Sequence, residues 1–282
     1  MREDSEKSAA AIRAQIGTAP VDVGLVVGKS LATICDHIAA PLSFRYQDLP
    51  GFGRTRQGDE VCECVVGTLG SARVVVLNGR AHYHEDGDIA GMRVPLETLR
   101  LLGAKAVVLT SAAGSTRREI SPGALVAIRD HINLTGINPL VGVDGPNRAV
   151  DLTAAYDPHL RERFAKAAGE SGRRSHEGTF MWFPGPSFET PAEIHAARTL
   201  GADLVGMSIV PEVLIARQIG LRVLALTTVT NFAAGLNTET LGREHAMRVS
   251  TAAAAALIRV LIKFFELWVL DARARAPASV ES

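Results

Sequence analysis

Short runs of β-branched and other apolar residues alternate along this chain with longer segments whose apolar residues recur at helical spacing. The short runs predict strands at 21–27, 74–77, 106–110, 125–128, 179–183, 203–206 and 222–228. The longer segments predict helices at 91–102, 158–168, 191–200, 210–218 and about 243–270. Strands and helices that alternate in this way form largely parallel sheets with helices on both faces. We therefore expect an α/β fold with a central mixed, largely parallel sheet flanked by helices.

The sequence predicts one domain. No stretch rich in Pro, Gly or Ser divides the middle of the 282 residues, and 47% of them are hydrophobic, which is ample for a buried core. We assign residues 21–270 to that domain, residues 1–20 to an N-terminal extension or helix, and residues 271–282 to a disordered tail. Residues 136–151 contain three glycines and two prolines and are expected to form an irregular excursion.

Charge and cysteine content limit the partners and the compartment. Thirty basic and thirty acidic residues cancel, so no overall field attracts nucleic acid or an anionic membrane, and a small-molecule ligand fits better. The three cysteines are an odd number, which argues against a disulfide framework. The first residues are too charged for a signal peptide, and Arg259 and Lys263 cut the apolar run near 252–258. We expect a soluble, cytoplasmic protein.

Two successive helix entrances carry side chains that could meet a ligand. Thr190 can cap a helix whose first residue is Pro191, with Glu193 as its capping-box partner. Glu189 then lies just outside the helix and is free to contact a ligand. Ser208 precedes another helix in the same way, where the exposed amides of a first turn suit an anion. On local chemistry alone, two ordinary capped helices are the simpler interpretation.

Six motifs, in this order, carry a family resemblance: GRAH at 79–82, TSAAG at 110–114, RDHINLTG at 129–136, GPSFETPAE at 185–193, GADLVGMSIVPEVLIAR at 201–217 and TTVTN at 227–231. From about residue 21 to residue 265 the chain resembles the trimeric, low-molecular-mass purine nucleoside phosphorylases. The resemblance implies a phosphorylase/hydrolase-like fold and a homotrimer. It also implies a pentosyltransferase that catalyses reversible phosphorolysis of 6-oxopurine (deoxy)nucleosides, with inorganic phosphate as co-substrate and no metal or organic cofactor.

Candidate phosphate ligands follow the second and third predicted strands. The guanidinium fork of Arg80 matches two phosphate oxygens, and His82 faces the same side if the segment is extended. In isolation an arginine after a strand is usually a solvated surface residue. The resemblance implies that Arg80, His82, the backbone amide of Ala112 and the hydroxyl of Ser208 all contact phosphate.

One turn departs from the family pattern. Relatives carry GSGLG, whose serine supplies a further phosphate hydroxyl, whereas this chain has GKSLA at 28–32. Lys29 occupies the serine position and Ser30 lies beside it, so phosphate is met either by an ammonium group or by a shifted hydroxyl. We assign both residues to the phosphate site.

Candidate base ligands are Glu189 and Asn231. The carboxylate can accept the two N–H groups on the edge of guanine or hypoxanthine, and the amide can donate to the imidazole nitrogen that gains charge as the glycosidic bond breaks. A lone asparagine at a strand end is more commonly a turn residue. By resemblance, Glu189 and Asn231 are the pairing of the 6-oxopurine-specific members, and both are catalytic together with His82. The resemblance also implies that Phe188 and Met207 pack on base and ribose.

For the ribose, the resemblance implies His84 and a second residue near the start of the last helix. Counting from Asn231 places either His245 or Arg243 there, depending on the relative used; we favour His245, although a solvated or capping histidine accounts for it equally well. Relatives also carry an aromatic residue that covers the ribose of the neighbouring subunit. The corresponding segment here, NRAVD at 147–151, has no aromatic residue.

Three alternatives stay open. The first is a methylthioadenosine phosphorylase-like enzyme: residues 114–123 resemble the corresponding segment of those enzymes, which carry an aspartate in place of Asn231. A metal-dependent hydrolase would use His82 and His84 with nearby carboxylates, a donor set that suits zinc or manganese. A nucleoside-binding protein with impaired catalysis is suggested by Lys29 and by the missing aromatic residue.

Overall fold

The computed structural model describes residues 2–53, 62–144, 149–236 and 242–274. The strands in these residues are β1 (Val23–Val27), β2 (Ala39–Arg45), β3 (Glu63–Leu69), β4 (Ala72–Asn78), β5 (Ala106–Ser115), β6 (Leu125–Ile132), β7 (Ser175–Trp182), β8 (Leu204–Gly206) and β9 (Arg222–Phe232). The helices are α1 (Arg2–Ile16), α2 (Tyr83–Asp86), α3 (Arg93–Leu101), α4 (Pro158–Glu170), α5 (Pro191–Thr199), α6 (Val210–Gln218) and α7 (Arg243–Ala274), with 3₁₀ segments at Lys29–His37 and Tyr46–Asp48. Every predicted strand and helix is present, with ends that differ by at most five residues.

The apolar pattern does not predict strands β2 and β3. Six of the seven residues of β2 are exposed, so this strand lacks the alternation that marks a half-buried strand. It also contains Pro41, which an edge strand tolerates because its outer amides need no partner. Gly67 interrupts the apolar run of β3.

Both predicted terminal segments contain helix. Helix α1 occupies most of the predicted extension 1–20, and α7 continues four residues into the predicted tail 271–282. Residues 275–282 lie outside the described part of the chain. The division into extension, domain and tail stays a prediction.

The strands form one mixed sheet in the order β2-β3-β4-β1-β5-β8-β7-β6-β9. Five of the pairings are parallel and four are antiparallel. Strand β5 pairs with β9 as well as with β1 and β8, so β5, β8, β7, β6 and β9 close into a ring. The expected central mixed sheet flanked by helices is confirmed.

Helices cover both faces of this sheet, and strand β1 shows it most clearly. All five of its residues are buried, as expected for a parallel strand between two helical layers. Val26 belongs to an apolar cluster that includes residues of α1, α3 and α6, whereas Leu25 belongs to one that includes residues of α4 and α7. Because both faces are filled, room for a ligand is left at the strand ends.

Three smaller features bear on the predictions. Between β6 and α4 the described residues form no helix or strand, in agreement with the expected excursion, and residues 145–148 lie outside the description. Cys35, Cys62 and Cys64 form no disulfide within the described part of the chain. Among the described residues, no helix is both long enough and apolar enough to cross a membrane.

Candidate active site

A cavity of about 390 Å³ opens at the carboxyl ends of strands β1, β4, β5 and β9. The ends of parallel strands are where α/β proteins commonly bind ligands. The structure brings eleven of the twelve predicted site residues into the lining of this cavity: Lys29, Ser30, Arg80, His82, His84, Ala112, Phe188, Glu189, Met207, Ser208 and Asn231.

Arg80 is nearly fully buried beside this cavity and is held on two sides. Its Nε lies 2.7 Å from Oε1 of Glu212, and its Nη1 donates to the carbonyl oxygen of Thr110 at 2.7 Å. Its Nη2 is buried and has no hydrogen-bond partner among the described residues. An unpaired buried N–H costs free energy, and a guanidinium N–H pairs most strongly with an anion. Arg80 therefore carries a buried N–H group that an anionic ligand would satisfy.

Ser208 precedes helix α6 in a strained turn. Ile209 has φ 75° and ψ −57° and is fully buried, and the amide of Val210 donates to the carbonyl oxygen of Ser208 at 3.0 Å. This conformation is a γ-turn of the strained type, which is unfavourable for a β-branched residue. Such strain persists only where the surroundings enforce it, and it concentrates at functional sites.

His82 and His84 lie at the entrance of the short helix α2. Their ring centroids are 5.0 Å apart, and Nδ1 of His82 is 3.4 Å from Oε1 of Glu85. One ligand atom from each of His82, His84 and Glu85 lies within 4.8 Å of the others, so these residues could hold a metal ion. Both histidines of the cluster line the same cavity as Arg80.

Glu189 is positioned by the predicted helix cap. The amide of Glu193 donates to Thr190 Oγ1 at 3.2 Å, and the amide of Thr190 donates to the Glu193 carboxylate at 2.7 Å, so the capping box is confirmed. Glu189 itself is buried, and this burial raises the pKa of its carboxyl above the ordinary value. Its Oε1 has no hydrogen-bond partner among the described residues. Oε1 is therefore a buried acceptor without a donor among the described residues.

Asn231 lies near the end of β9 and is 7% exposed. Its Oδ1 accepts from Thr230 Oγ1 at 2.7 Å, and its Nδ2 donates to the carbonyl oxygen of Phe232 at 2.9 Å. A side chain on the neighbouring Gly114 would place its Cβ 3.1 Å from this Nδ2. The glycine thus leaves room for the amide in this orientation.

Comparison with known proteins agrees with this architecture. A sequence model described as the phosphorylase superfamily matches residues 23–266. The purine nucleoside phosphorylase of Mycobacterium tuberculosis is 38% identical over 267 residues, which cover 93% of this chain and 97% of that protein. This chain belongs to the purine nucleoside phosphorylases. Enzymes of this family are pentosyltransferases.

Solved structures resemble this purine nucleoside phosphorylase closely. Schistosoma mansoni purine nucleoside phosphorylase in complex with inosine has a TM-score of 0.87 and 30% sequence identity, over 98% of both chains. A structure of the Schistosoma mansoni enzyme in complex with adenosine also has a TM-score of 0.87 and 30% identity, over 94% of this chain and 96% of that one.

Parts of the predicted ribose site are not brought into the cavity of this phosphorylase. His245 lies in the first turn of α7 and is half-buried, but the lining residues of that turn are Ala246 and Met247. The role of His245 in ribose binding stays a prediction. The side chain of Arg243 and residues 147 and 148 of the expected lid segment lie outside the description.

The phosphorylase also places residues in the cavity that the sequence analysis missed. Ser111 and Thr230 line it. Both belong to the motifs TSAAG and TTVTN, in which the resemblance assigned roles only to Ala112 and Asn231. Helix α7 contributes Met247, Ser250, Ala254 and Leu257. Their helical spacing predicts a common face, but nothing in the local sequence indicates which face meets a ligand.

Proposed function

We propose that this enzyme catalyses the reversible phosphorolysis of 6-oxopurine nucleosides to the free base and ribose 1-phosphate, with inosine, guanosine and their 2′-deoxy forms as substrates. The observation that carries the proposal is that two residues lining one cavity each have a buried polar atom without a partner in the described part of the chain, one a hydrogen-bond donor and the other an acceptor. Arg80 Nη2 is a donor and Glu189 Oε1 is an acceptor, and neither has a partner among the described residues. Phosphate supplies an acceptor to the arginine, and the N–H edge of a 6-oxopurine supplies a donor to the glutamate.

The proposed phosphate subsite gathers groups that prefer an anion. A guanidinium and an ammonium supply positive charge, and the hydroxyl and amide groups supply donors whose geometry suits phosphate oxygens. The contributing residues all line the cavity: Lys29, Ser30, Arg80, His82, Ala112 and Ser208.

The proposed base subsite explains a preference for guanine and hypoxanthine. Both bases present an N–H at position 1, whereas adenine presents an acceptor there and would leave the buried carboxylate of Glu189 facing a lone pair. Sites that leave a buried polar group unpaired discriminate strongly against the wrong substrate. Phe188 and Met207 also line the cavity, and we propose that they pack on base and ribose.

In the proposed reaction a phosphate oxygen forms a bond to C1′ of the ribose while the bond from C1′ to N9 of the purine breaks. The electron pair of the broken bond leaves with the purine. Nδ2 of Asn231 has a second N–H beyond the one given to Phe232, and we propose that it donates to the imidazole nitrogen on which charge develops. His84, which lines the cavity, and His245 are proposed to hold the ribose.

The test compares inosine, guanosine, adenosine and methylthioadenosine at several phosphate concentrations, with identification of the sugar product. We expect phosphate-dependent cleavage of inosine and guanosine to the sugar 1-phosphate, and a much lower kcat/KM for adenosine. Equal efficiency with adenosine or methylthioadenosine would contradict the assigned base. Binding of nucleosides without phosphate-dependent cleavage would indicate a nucleoside-binding protein instead.

A metal-dependent hydrolase is the second candidate, because His82, His84 and Glu85 bring three ligand atoms within 4.8 Å of one another. We propose that His82 serves phosphate instead and that the reaction needs no metal or organic cofactor. A hydrolase would release free sugar without phosphate and would lose activity with a chelator. The phosphorylase should be insensitive to chelation and should bind no stoichiometric metal.

We also propose that the enzyme is a homotrimer. Large apolar side chains are exposed in the excursion after β6, where Leu134 is 67% and Val141 is 82% exposed. Exposed apolar groups that lie near one another often mark a protein interface. Light scattering should give the mass of three chains, and the mass of a single chain would contradict the proposal.

A further inference from the structure

Glu212 is a buried carboxylate that does not reach the substrate cavity. Its side chain is 4% exposed, and it does not appear among the described residues that line that cavity, whereas its partner Arg80 does. It lies in the first turn of α6, where the helix dipole favours a negative charge. Glu212 lines a smaller pocket with His82, Met207 and Ser208, which also line the main cavity. Its charged contact with a residue of that cavity is the 2.7 Å ion pair with Arg80.

The ion pair fixes the orientation of the guanidinium. Glu212 holds Nε from helix α6, and the carbonyl oxygen of Thr110 holds Nη1 from strand β5. These two contacts come from separate elements, and together they define the plane of the rigid, planar group. Nε makes no hydrogen bond to the described residues, so Glu212 acts on it through the ion pair alone, and Nη2 is buried with neither a hydrogen bond nor an ion pair among those residues.

Glu212 is also joined to Ser208 by a short segment that contains the strained turn. The strained turn at Ile209 joins the serine directly to helix α6, and Glu212 follows in the first turn of that helix. A shift of this segment would move two groups at once: the hydroxyl of Ser208 and the Glu212 carboxylate that contacts Arg80. The two proposed phosphate ligands are thereby kept in register.

We infer that Glu212 is a positioning residue for phosphate, which aims the guanidinium of Arg80 at the anion and ties its placement to that of Ser208. This inference rests on the proposed function. A contrary effect is physically reasonable, because a carboxylate beside the arginine also offsets part of the positive charge that attracts phosphate. If Glu212 acts by its position, moving its carboxylate should weaken phosphate binding. If it acts mainly by its charge, removing that charge should strengthen phosphate binding.

Two conservative variants separate position from charge. Glu212→Asp keeps the charge but withdraws the carboxylate by one methylene, and we expect the KM for phosphate to rise about tenfold, as for a lost charge-assisted contact. Glu212→Gln keeps an oxygen acceptor at the original reach but removes the charge, and we expect the KM for phosphate to change much less. The KM for inosine at saturating phosphate should stay nearly constant in both.

Other outcomes would overturn the inference. A lower KM for phosphate in Glu212→Gln, with no change in Glu212→Asp, would show that charge compensation dominates. Lower thermal stability with unchanged KM values in both variants would indicate a purely structural ion pair. The control is Glu97→Asp, because Glu97 lies 3.5 Å from the buried Arg93 outside this cavity and its shortening should leave the KM for phosphate unchanged.

Calorimetric titration with inorganic phosphate alone gives a second measurement that needs no turnover. Glu212→Asp should weaken phosphate binding by a factor similar to the rise in KM, and unchanged affinity would contradict the inference. Wild-type enzyme that neither binds phosphate nor cleaves inosine would refute the proposed function itself, which distinguishes that failure from a failure at Glu212 alone.

Discussion

The side-chain amide of Asn231 is fixed at both ends by neighbours in the chain. Thr230 Oγ1 donates to its oxygen, and one of its two N–H bonds is donated to the carbonyl oxygen of Phe232. The orientation is thus set before a nucleoside arrives, and no freedom need be lost when the second N–H meets the base. Preorganised donors of this kind stabilise charge that develops in a transition state.

Asn231→Asp should therefore damage the chemical step. An ionised carboxylate cannot donate to the purine, and it repels the charge that forms on the leaving base, so kcat for inosine should fall by about 10²–10³. Steady-state kinetics at saturating inosine and phosphate measure the change. Asn138→Asp is the matched control and should retain wild-type kcat, because Asn138 is exposed and does not line the cavity. A near-normal kcat in Asn231→Asp would remove the amide from the mechanism.

Glu189 should make the catalytic efficiency and the base preference of the enzyme depend on pH. Burial raises the pKa of its carboxyl, so the group takes up a proton at a higher pH than an exposed glutamate does. The protonated form accepts more weakly from N1–H of hypoxanthine, and its O–H can donate to N1 of adenine. As the pH falls through this raised pKa, kcat/KM for inosine should fall and the preference for inosine over adenosine should narrow. In Glu189→Ala the ratio of kcat/KM for inosine to that for adenosine should no longer change with pH. A ratio in the wild-type enzyme that does not change with pH would contradict the assignment.

At the scale of single elements, the capping box of α5 links stability to the base site. Thr190→Ala removes the side-chain acceptor at the helix start and should lower the free energy of unfolding by about 1 kcal/mol. The same change also loosens the residue beside Glu189, so the KM for inosine should rise.

Asp157→Ala is the matched control for this cap. Asp157 accepts from the amide of Leu160 at 2.9 Å at the start of α4, which is not part of the cavity. Chemical denaturation should show a similar loss of stability in both variants, with a changed KM in Thr190→Ala alone. An equal KM change in both would show that the effect is not local.

The turn after β1 supports a separate prediction. Lys29 and Ser30 open the 3₁₀ segment Lys29–His37 and line the cavity. If the ammonium group contacts phosphate, the double substitution Lys29→Ser with Ser30→Gly should raise the KM for phosphate markedly, because a charge-assisted contact is replaced by a neutral one. The measurement is the KM for phosphate at saturating inosine. An unchanged value would show that this turn does not touch phosphate.

At the scale of the whole molecule, local signals predicted most elements and the layered sheet, but they did not predict the strand order or the ring of strands. The cap at Thr190 and the apolar strands could be found because each depends on neighbours within a few residues. Strand β2 could not, since its exposed side chains leave no apolar pattern. The pair of Arg80 with Glu212 joins residues that are distant in sequence, and no spacing rule connects them. The family resemblance supplied the site residues that local chemistry alone left ambiguous.

The ring of strands has a consequence for how the enzyme is made. Strand β5 ends at residue 115, but its partner β9 begins at residue 222. On the ribosome, β5 therefore emerges with the backbone N–H and C=O groups of one edge unpaired until the intervening polypeptide has been translated. Unpaired strand edges are sites of faulty association, and distant partners slow folding. Prematurely terminated chains that end before β9 should be the aggregating products of its synthesis.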